Sequence, residues 1–275
     1  MSWAKIFRQI DERKYYATKV PEITLAFWVA KILSTAMGEA TSDFLVFHVN
    51  PYVAVVSGGL GFLLALWLQF RTTRYRPLAY WLLVVMVSIF GTMVADVIHV
   101  VLGVPYVVST SLFAGSLLLI LWGWNASEKT LSIHSVATPR RELFYWATVI
   151  ATFALGTAAG DLTASTFGLG YLNSAIMFSL LFAAAGIAYF VFRLNEVAAF
   201  WIAYILTRPM GASFADWFDK PRDMSGLGFG TAPIAALLTV AVALAIGYIW
   251  LRFQRQPVPV ALGTNQISED VGEAG

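Results

Sequence analysis

The stretch AFWVAKILSTAMGEATSD, residues 26–43, returns near the other end of the chain as AFWIAYILTRPMGASFAD, residues 199–216. Each holds a tryptophan, a glycine ten residues on and an aspartate five after that. The same spacing occurs twice in between, giving four copies: Trp28–Gly38–Asp43, Trp81–Gly91–Asp96, Trp146–Gly156–Asp161 and Trp201–Gly211–Asp216. Their starts lie 53, 65 and 55 residues apart, so nearly the whole chain is one unit repeated. Each copy sets a carboxylate inside or at the edge of a strongly apolar segment. A charge in hydrocarbon is costly, and four at matched positions ask for a functional explanation.

Composition fixes the class. The 275 residues are 59% hydrophobic and only 12% charged, against about 25% charged in ordinary soluble domains. The apolar residues come in long blocks, which predicts an all-α polytopic membrane protein. With no cysteine, disulfides and thiolate metal sites are excluded. The first twenty residues hold Lys5, Arg8, Arg13, Lys14 and Lys19 without an apolar centre, so no cleavable signal peptide is expected. That segment, residues 1–21, reads instead as a basic stretch on the cytoplasmic membrane surface.

A membrane crossing takes about 20 apolar residues of helix. Eight such stretches are predicted, near residues 22–46, 51–70, 77–100, 104–123, 142–166, 171–192, 197–217 and 231–252. The repeat unit is then a helical hairpin used four times in parallel, with the signature on its first helix. A polar loop, 124–141, separates a first half (22–123) from a second (142–252), and a polar tail, 253–275, is expected to be disordered. Basic residues set orientation. Arg71, Arg74, Arg76, Lys129, Arg140, Arg141, Arg193, Arg252 and Arg255 all follow even-numbered spans, which predicts both termini in the cytoplasm. Only Lys220 and Arg222 break the pattern, beside Asp219 and Asp223. The tryptophans then lie toward the cytoplasm and the aspartates toward the outside.

Residues four apart share a helix face. The four equivalent stripes are Lys31, Thr35, Glu39, Asp43; Val84, Ser88, Thr92, Asp96; Val149, Phe153, Thr157, Asp161; and Tyr204, Arg208, Ala212, Asp216. Polarity rises toward the aspartate in every copy. Glu39, Asp43, Asp96, Asp161 and Asp216 outnumber Lys31 and Arg208 by three charges. Unpaired carboxylates in low dielectric take up protons or recruit a cation, and an all-oxygen set suits hard divalent ions. The expected ion-binding residues are these five acids, with Lys31 and Arg208 as counter-ions. Asp43, Asp96, Asp161 and Asp216 are the candidate metal ligands, and His48 and His99 weaker ones near the outer surface. His134 lies in a polar loop.

Gly38, Gly91, Gly156 and Gly211 are expected to let helices pack closely. Pro209 should kink or break the seventh span and act as a hinge. Trp28, Trp81, Trp146 and Trp201 read as anchors in an aromatic belt at the cytoplasmic interface. Tyr52, Tyr106, Tyr171 and Phe229 form a second echo that opens the even-numbered helices. No phosphate-binding Gly-rich loop, Ser–His–Asp order or zinc protease pair is present, so no enzyme activity, cofactor or nucleic-acid partner is expected.

The repeated Trp-x9-Gly-x4-Asp spacing, with KVPEITLAFWVAKILSTAMGE and AFWIAYILTRP, resembles a family of bacterial integral-membrane proteins built of four tandem repeats of unknown function. Each repeat of that family has two transmembrane regions and a tryptophan, and the resemblance covers residues 22–252. It implies a bacterial inner-membrane location and brings no activity with it. The residues themselves point to a small-cation transporter, coupled to protons and exporting a divalent metal, whose partners are the bilayer, the cation and protons. A cation channel with the same acidic ring is the alternative. So is a non-transporting scaffold or sensor in which the polar stripes are interhelical glue. A bound cation and homo-oligomer formation are compatible with each.

Overall fold

A computed structural model of the protein describes residues 18–255. It comprises eight long helices: α1 (Leu25–His48), α2 (Pro51–Phe70), α3 (Pro77–Asp96), α4 (Tyr106–Glu128), α5 (Pro139–Asp161), α6 (Gly170–Phe190), α7 (Glu196–Asp219) and α8 (Thr231–Gln254). Each predicted span falls on one of them. Their starts are legible chemistry. Asn50 and Asn195 accept from the first backbone N–H groups of α2 and α7, Thr24 and Thr138 do so for α1 and α5, and prolines open α2, α3 and α5. In the two middle copies a π-helical turn follows the aspartate, Val97–Val101 after α3 and Leu162–Thr166 after α5.

Six helices, all but α1 and α7, are long and apolar enough to cross a membrane. The remaining two carry charge in their interiors, Lys31 and Glu39 on one and Arg208 on the other, and pack among the rest. Large apolar side chains such as Leu118, Leu119, Trp122, Phe190 and Leu244 face outward. Apolar surface this extensive belongs in lipid, and the chain reads as a multi-pass membrane protein.

The four signature helices form a closed inner ring, with α1 against α3 and α7, and α5 against α3 and α7. The even-numbered helices lie outside it. Each packs chiefly on the next signature helix rather than on its own: α2 on α3, α4 on α5, α6 on α7, and α8 back on α1. The hairpin that repeats along the sequence is therefore not the unit of packing, since connection along the chain does not decide which face an outer helix buries.

A cyclic rule closes the ring. A Cβ at Gly38 would collide with Ser88, one at Gly156 with Arg208 and Pro209, and one at Gly211 with Thr35; at Gly91 it would meet Phe153 at 3.2 Å. In each case the partner stands seven residues after the tryptophan of the next copy. The glycines thus serve close helix approach, as small residues do in membranes.

The tryptophans correct the interface-anchor expectation. Trp81, Trp146 and Trp201 are buried in the core and only Trp28 is half-buried. The aromatic residue preceding each tryptophan packs on the tryptophan of the next copy: Phe27 on Trp81 (5.8 Å between centroids), Tyr80 on Trp146 (5.4 Å), Tyr145 on Trp201 (6.1 Å) and Phe200 on Trp28 (5.8 Å). Because all four tryptophans gather at one end, the signature helices run in the same direction. Pro209 gives a second correction. It lies inside the continuous helix α7, which it does not break, with α5 packed against it at Gly156.

Outside the ring, the buried Glu142 ties three segments together at the tryptophan end, accepting from Lys19 at 2.5 Å and from Gln69 at 3.0 Å. The loop before α5 is held by Trp201 Nε1 donating to Leu131 O at 3.0 Å. The expectations for residues 1–17 and 256–275 lie outside the described residues.

Candidate functional site

The four stripes turn inward and build the ring axis in layers. Fifteen residues of helix separate tryptophan from aspartate, so the two ends of this axis stand about 22 Å apart. At the tryptophan end the axis is closed by Phe27, Tyr80, Tyr145 and Phe200 with their tryptophans, and Tyr80 Oη lies 2.6 Å from Tyr145 Oη.

The next layer holds Lys31, Val84, Val149 and Tyr204, all buried. Lys31 Nζ has no hydrogen-bonding partner among the described residues. It sits 3.9 Å from the centre of the Phe153 ring and 4.2 Å from that of Tyr204, where ring faces provide the favourable electrostatics.

Arg208 comes next and is fully buried. Its guanidinium donates to Glu39 at 2.5 Å, to Thr157 Oγ1 at 2.7 Å, to Thr92 Oγ1 and to the carbonyl of Thr35 at 3.1 Å. Glu39, Thr92 and Thr157 are equivalent positions of three copies, and the fourth is Ala212. A small residue there leaves the centre of the layer to the arginine coming from the turn below. The partner of Arg208 is thus Glu39, neither Asp43 nor Asp216.

Above this layer the four aspartates come to the same end of the ring. Asp161 lies within Coulombic reach of Glu39, Lys220, Asp43 and Arg208, and Asp96 within reach of Glu39, Asp43 and Asp161. The two middle aspartates differ from the outer two. Asp96 and Asp161 have no ion-pair or hydrogen-bonding partner among the described residues, whereas Asp43 and Asp216 share Lys220. The lysine ammonium contacts Asp43 directly and lies 3.7 Å from Asp216. Burial pulls the Lys220 pKa down, but Asp216 and Asp43 more than reverse this and leave it above the ordinary lysine value.

Asp219, the last residue of α7 and directly before Lys220 in the same acidic mouth, was not among the site residues expected from sequence. Its carboxylate is buried, and oxygen atoms of Asp43, Asp216 and Asp219 lie within 4.8 Å of one another. Among the described residues this trio is the group that could hold a metal ion; Asp96, Asp161, His48 and His99 are not part of it. His48 is exposed, stacks on Phe44 and bonds to its own helix at Phe44 O (3.0 Å). His99 lies 3.2 Å from Val104 O and packs at a 40° tilt on Tyr106. Tyr106 and Tyr171, from the second aromatic echo, flank the aspartates, while Tyr52 and Phe229 are exposed. The signal that could have found Lys220 and Asp219 was the break in the charge pattern, a basic residue on the side otherwise free of them.

The axis thus carries six carboxylates against three bases, Lys31, Arg208 and Lys220. Chemically, the aspartate end can exchange protons and cations. The layers below, filled by Arg208, Lys31 and aromatic rings, block a straight path.

A family described as Repeat of Unknown Function (DUF347) matches the chain in four segments, residues 26–75, 79–130, 144–195 and 199–256. The four segments contain the four Trp–Gly–Asp signatures. No curated protein and no solved structure matches the chain.

Proposed function

The chain belongs to this family of repeats of unknown function, and from that premise we propose that it is a small-cation transporter of the bacterial inner membrane, exchanging its cation for protons at the acidic end of the ring axis. One observation carries the reading: four aspartates from four parallel helices come to one end of the axis, and among the described residues Asp96 and Asp161 have no hydrogen-bonding or ion-pair partner there. Acids arranged only as glue would be expected to come with donors. Here six carboxylates face three bases, and an excess of that kind is balanced by protons or by a bound cation.

The reading includes a divalent metal as substrate, export as direction, and both termini on the cytoplasmic side. A carrier is preferred to a channel because the axis beneath the aspartates is filled. The guanidinium of Arg208, the Lys31 ammonium between two rings and the aromatic floor would have to move aside in turn. Arg208 then acts as an internal cation that leaves Glu39 as the site loads and empties, and Lys31 as one that swings from its aromatic cage to a carboxylate.

A counterflow assay tests the carrier against the channel. Proteoliposomes preloaded with unlabelled Mn2+ should take up tracer Mn2+ faster than empty ones, because a loaded carrier returns more readily. Uptake indifferent to internal Mn2+ would favour the open pathway. Asp96→Asn should abolish uptake while leaving the melting temperature in detergent within a few degrees; loss of stability with no flux to begin with would favour interhelical glue.

A further inference from the structure

At the aspartate end, Lys220 occupies the space where a cation would sit. Its ammonium touches Asp43 of α1 and lies 3.7 Å from Asp216 of α7. Asp219 completes the trio, only 3% exposed, with neither carboxylate oxygen hydrogen-bonded among the described residues. Asp216 Oδ1 is likewise buried without a hydrogen-bonding partner. A buried, unsatisfied carboxylate is costly, which marks the trio as short of a positive ligand.

The geometry suits a hard divalent ion. Oxygen ligands sit about 2.0–2.6 Å from Mg2+ or Ca2+, so two ligands of one ion are separated by no more than about 5 Å. The three oxygens lie within 4.8 Å of one another. The backbone around the lysine is held. Leu227, Gly228, Phe229 and Gly230 donate their N–H groups to the carbonyls of Trp217, Lys220, Phe218 and Asp219, and a Cβ at Gly226 would collide with Lys220 O. What remains free to move is the lysine side chain, which has four carbons of reach and a strongly hydrated head.

The geometry points to Asp43, Asp216 and Asp219 as a divalent-cation site at the mouth of the axis, with Lys220 as a tethered competitor that fills it in the resting state and swings out when the ion binds. Without substrate the lysine offsets one of the trio's three negative charges. It also ties α1 to the end of α7, so displacing it releases one link between these neighbouring inner helices while the Arg208–Glu39 pair holds them below. This inference rests on reading the acidic end as a cation site, and it adds which acids hold the ion and what keeps it out.

The test is equilibrium Mn2+ binding to the full chain in lipid nanodiscs, read by the loss of the free Mn2+ electron-spin signal. Lys220→Met should tighten binding by roughly tenfold or more, the scale of one removed charge interaction near a surface. Adding Asp219→Asn to that variant should return affinity to the wild-type level or below it. Lys220→Arg, which keeps the charge, should bind no tighter than wild type; all three should melt cooperatively with metal absent, with Lys220→Met below wild type because its acids lose their ammonium. A folded Lys220→Met that binds Mn2+ no tighter, or a double variant that keeps the gain, would overturn the inference. Cation flux lost in Asp161→Asn alongside unchanged Mn2+ affinity in Lys220→Met would remove the competitor and leave the transport reading standing. Tightened binding without flux in any variant would support the site and remove transport.

Discussion

Arg208 of α7 donates to Glu39 of the neighbouring α1 at 2.5 Å, one turn above the layer from which it springs. The two copies that carry internal charge are thereby joined to each other, and Thr92 and Thr157 from the two neutral copies complete the arginine's shell. The closest sequence match in the chain, between the first and last copies, is thus also a structural pairing: adjacent helices of a closed ring. A buried pair of this kind contributes less to net stability than to uniqueness of packing, because desolvation offsets most of the attraction.

Breaking that pair from one side should be costly. Glu39→Gln leaves a fully buried guanidinium uncompensated and should destabilise the protein by about 3–5 kcal/mol. Arg208→Met with Glu39→Gln removes both charges and should recover much of the loss. Melting in detergent, followed by tryptophan fluorescence, checks the order, and a double variant as unstable as the sum of the singles would contradict it.

The glycine rule predicts a graded series. Gly38→Ala, Gly156→Ala and Gly211→Ala place a methyl where a neighbouring helix already stands, at Ser88, Arg208 with Pro209, and Thr35. Each should cost about 1–3 kcal/mol, the usual range for overpacking. Gly91→Ala meets only Phe153, at 3.2 Å, and should be the mildest. The series is read from melting temperatures and yield of monodisperse protein, and a Gly91 variant as damaged as the others would refute the ordering.

Buried tryptophans predict loss of stability rather than of membrane placement. Trp146→Ala removes a core side chain between Tyr80 and Tyr145 and should cost about 3–5 kcal/mol. Trp28→Ala, at the half-buried position, should cost less. Equal and small effects at both would restore the interface-anchor reading.

Lys220 gives a pH prediction with a definite sign. Its folded-state pKa is raised, so its contribution to stability is fully present below the unfolded value of about 10.4 and fades only as pH climbs through the higher folded value. The ammonium should therefore stay charged at pH 9 and resist acylation, which needs the neutral amine. Mass spectrometry should find Lys220 modified far more slowly than the exposed Lys129, with the protection lost in Asp43→Asn. Equal rates at the two lysines would contradict the pairing.

The repeat spacing made a large part of this structure readable. Tryptophan, glycine and aspartate at fixed offsets placed four helices, singled out the stripes ending in Asp43, Asp96, Asp161 and Asp216, and identified the glycines as packing points; that the four aspartates come to one end of a ring was not readable from them. What it could not give was the partner of each helix. Nothing in a hairpin's sequence says that α2 lies on α3 and that α8 closes onto α1, because that depends on which apolar face finds which groove. The tryptophans misled because their position near a helix end fits an interface belt and a core layer equally well. The aromatic residue before each one, Phe27, Tyr80, Tyr145 or Phe200, was the sign of a layer. Lys220 and Asp219 stood outside the Trp–Gly–Asp signature and were visible only as a break in the charge pattern.

The most direct test of the account is cation flux into proteoliposomes loaded with a pH dye, comparing wild type with Asp161→Asn. The account predicts that a divalent cation crosses with proton movement in the opposite direction, and that both movements vanish together in the folded variant. Correctly reconstituted wild type that moves neither cation nor protons, across a panel of divalent and monovalent ions, would contradict it and return the acidic layer to a structural role.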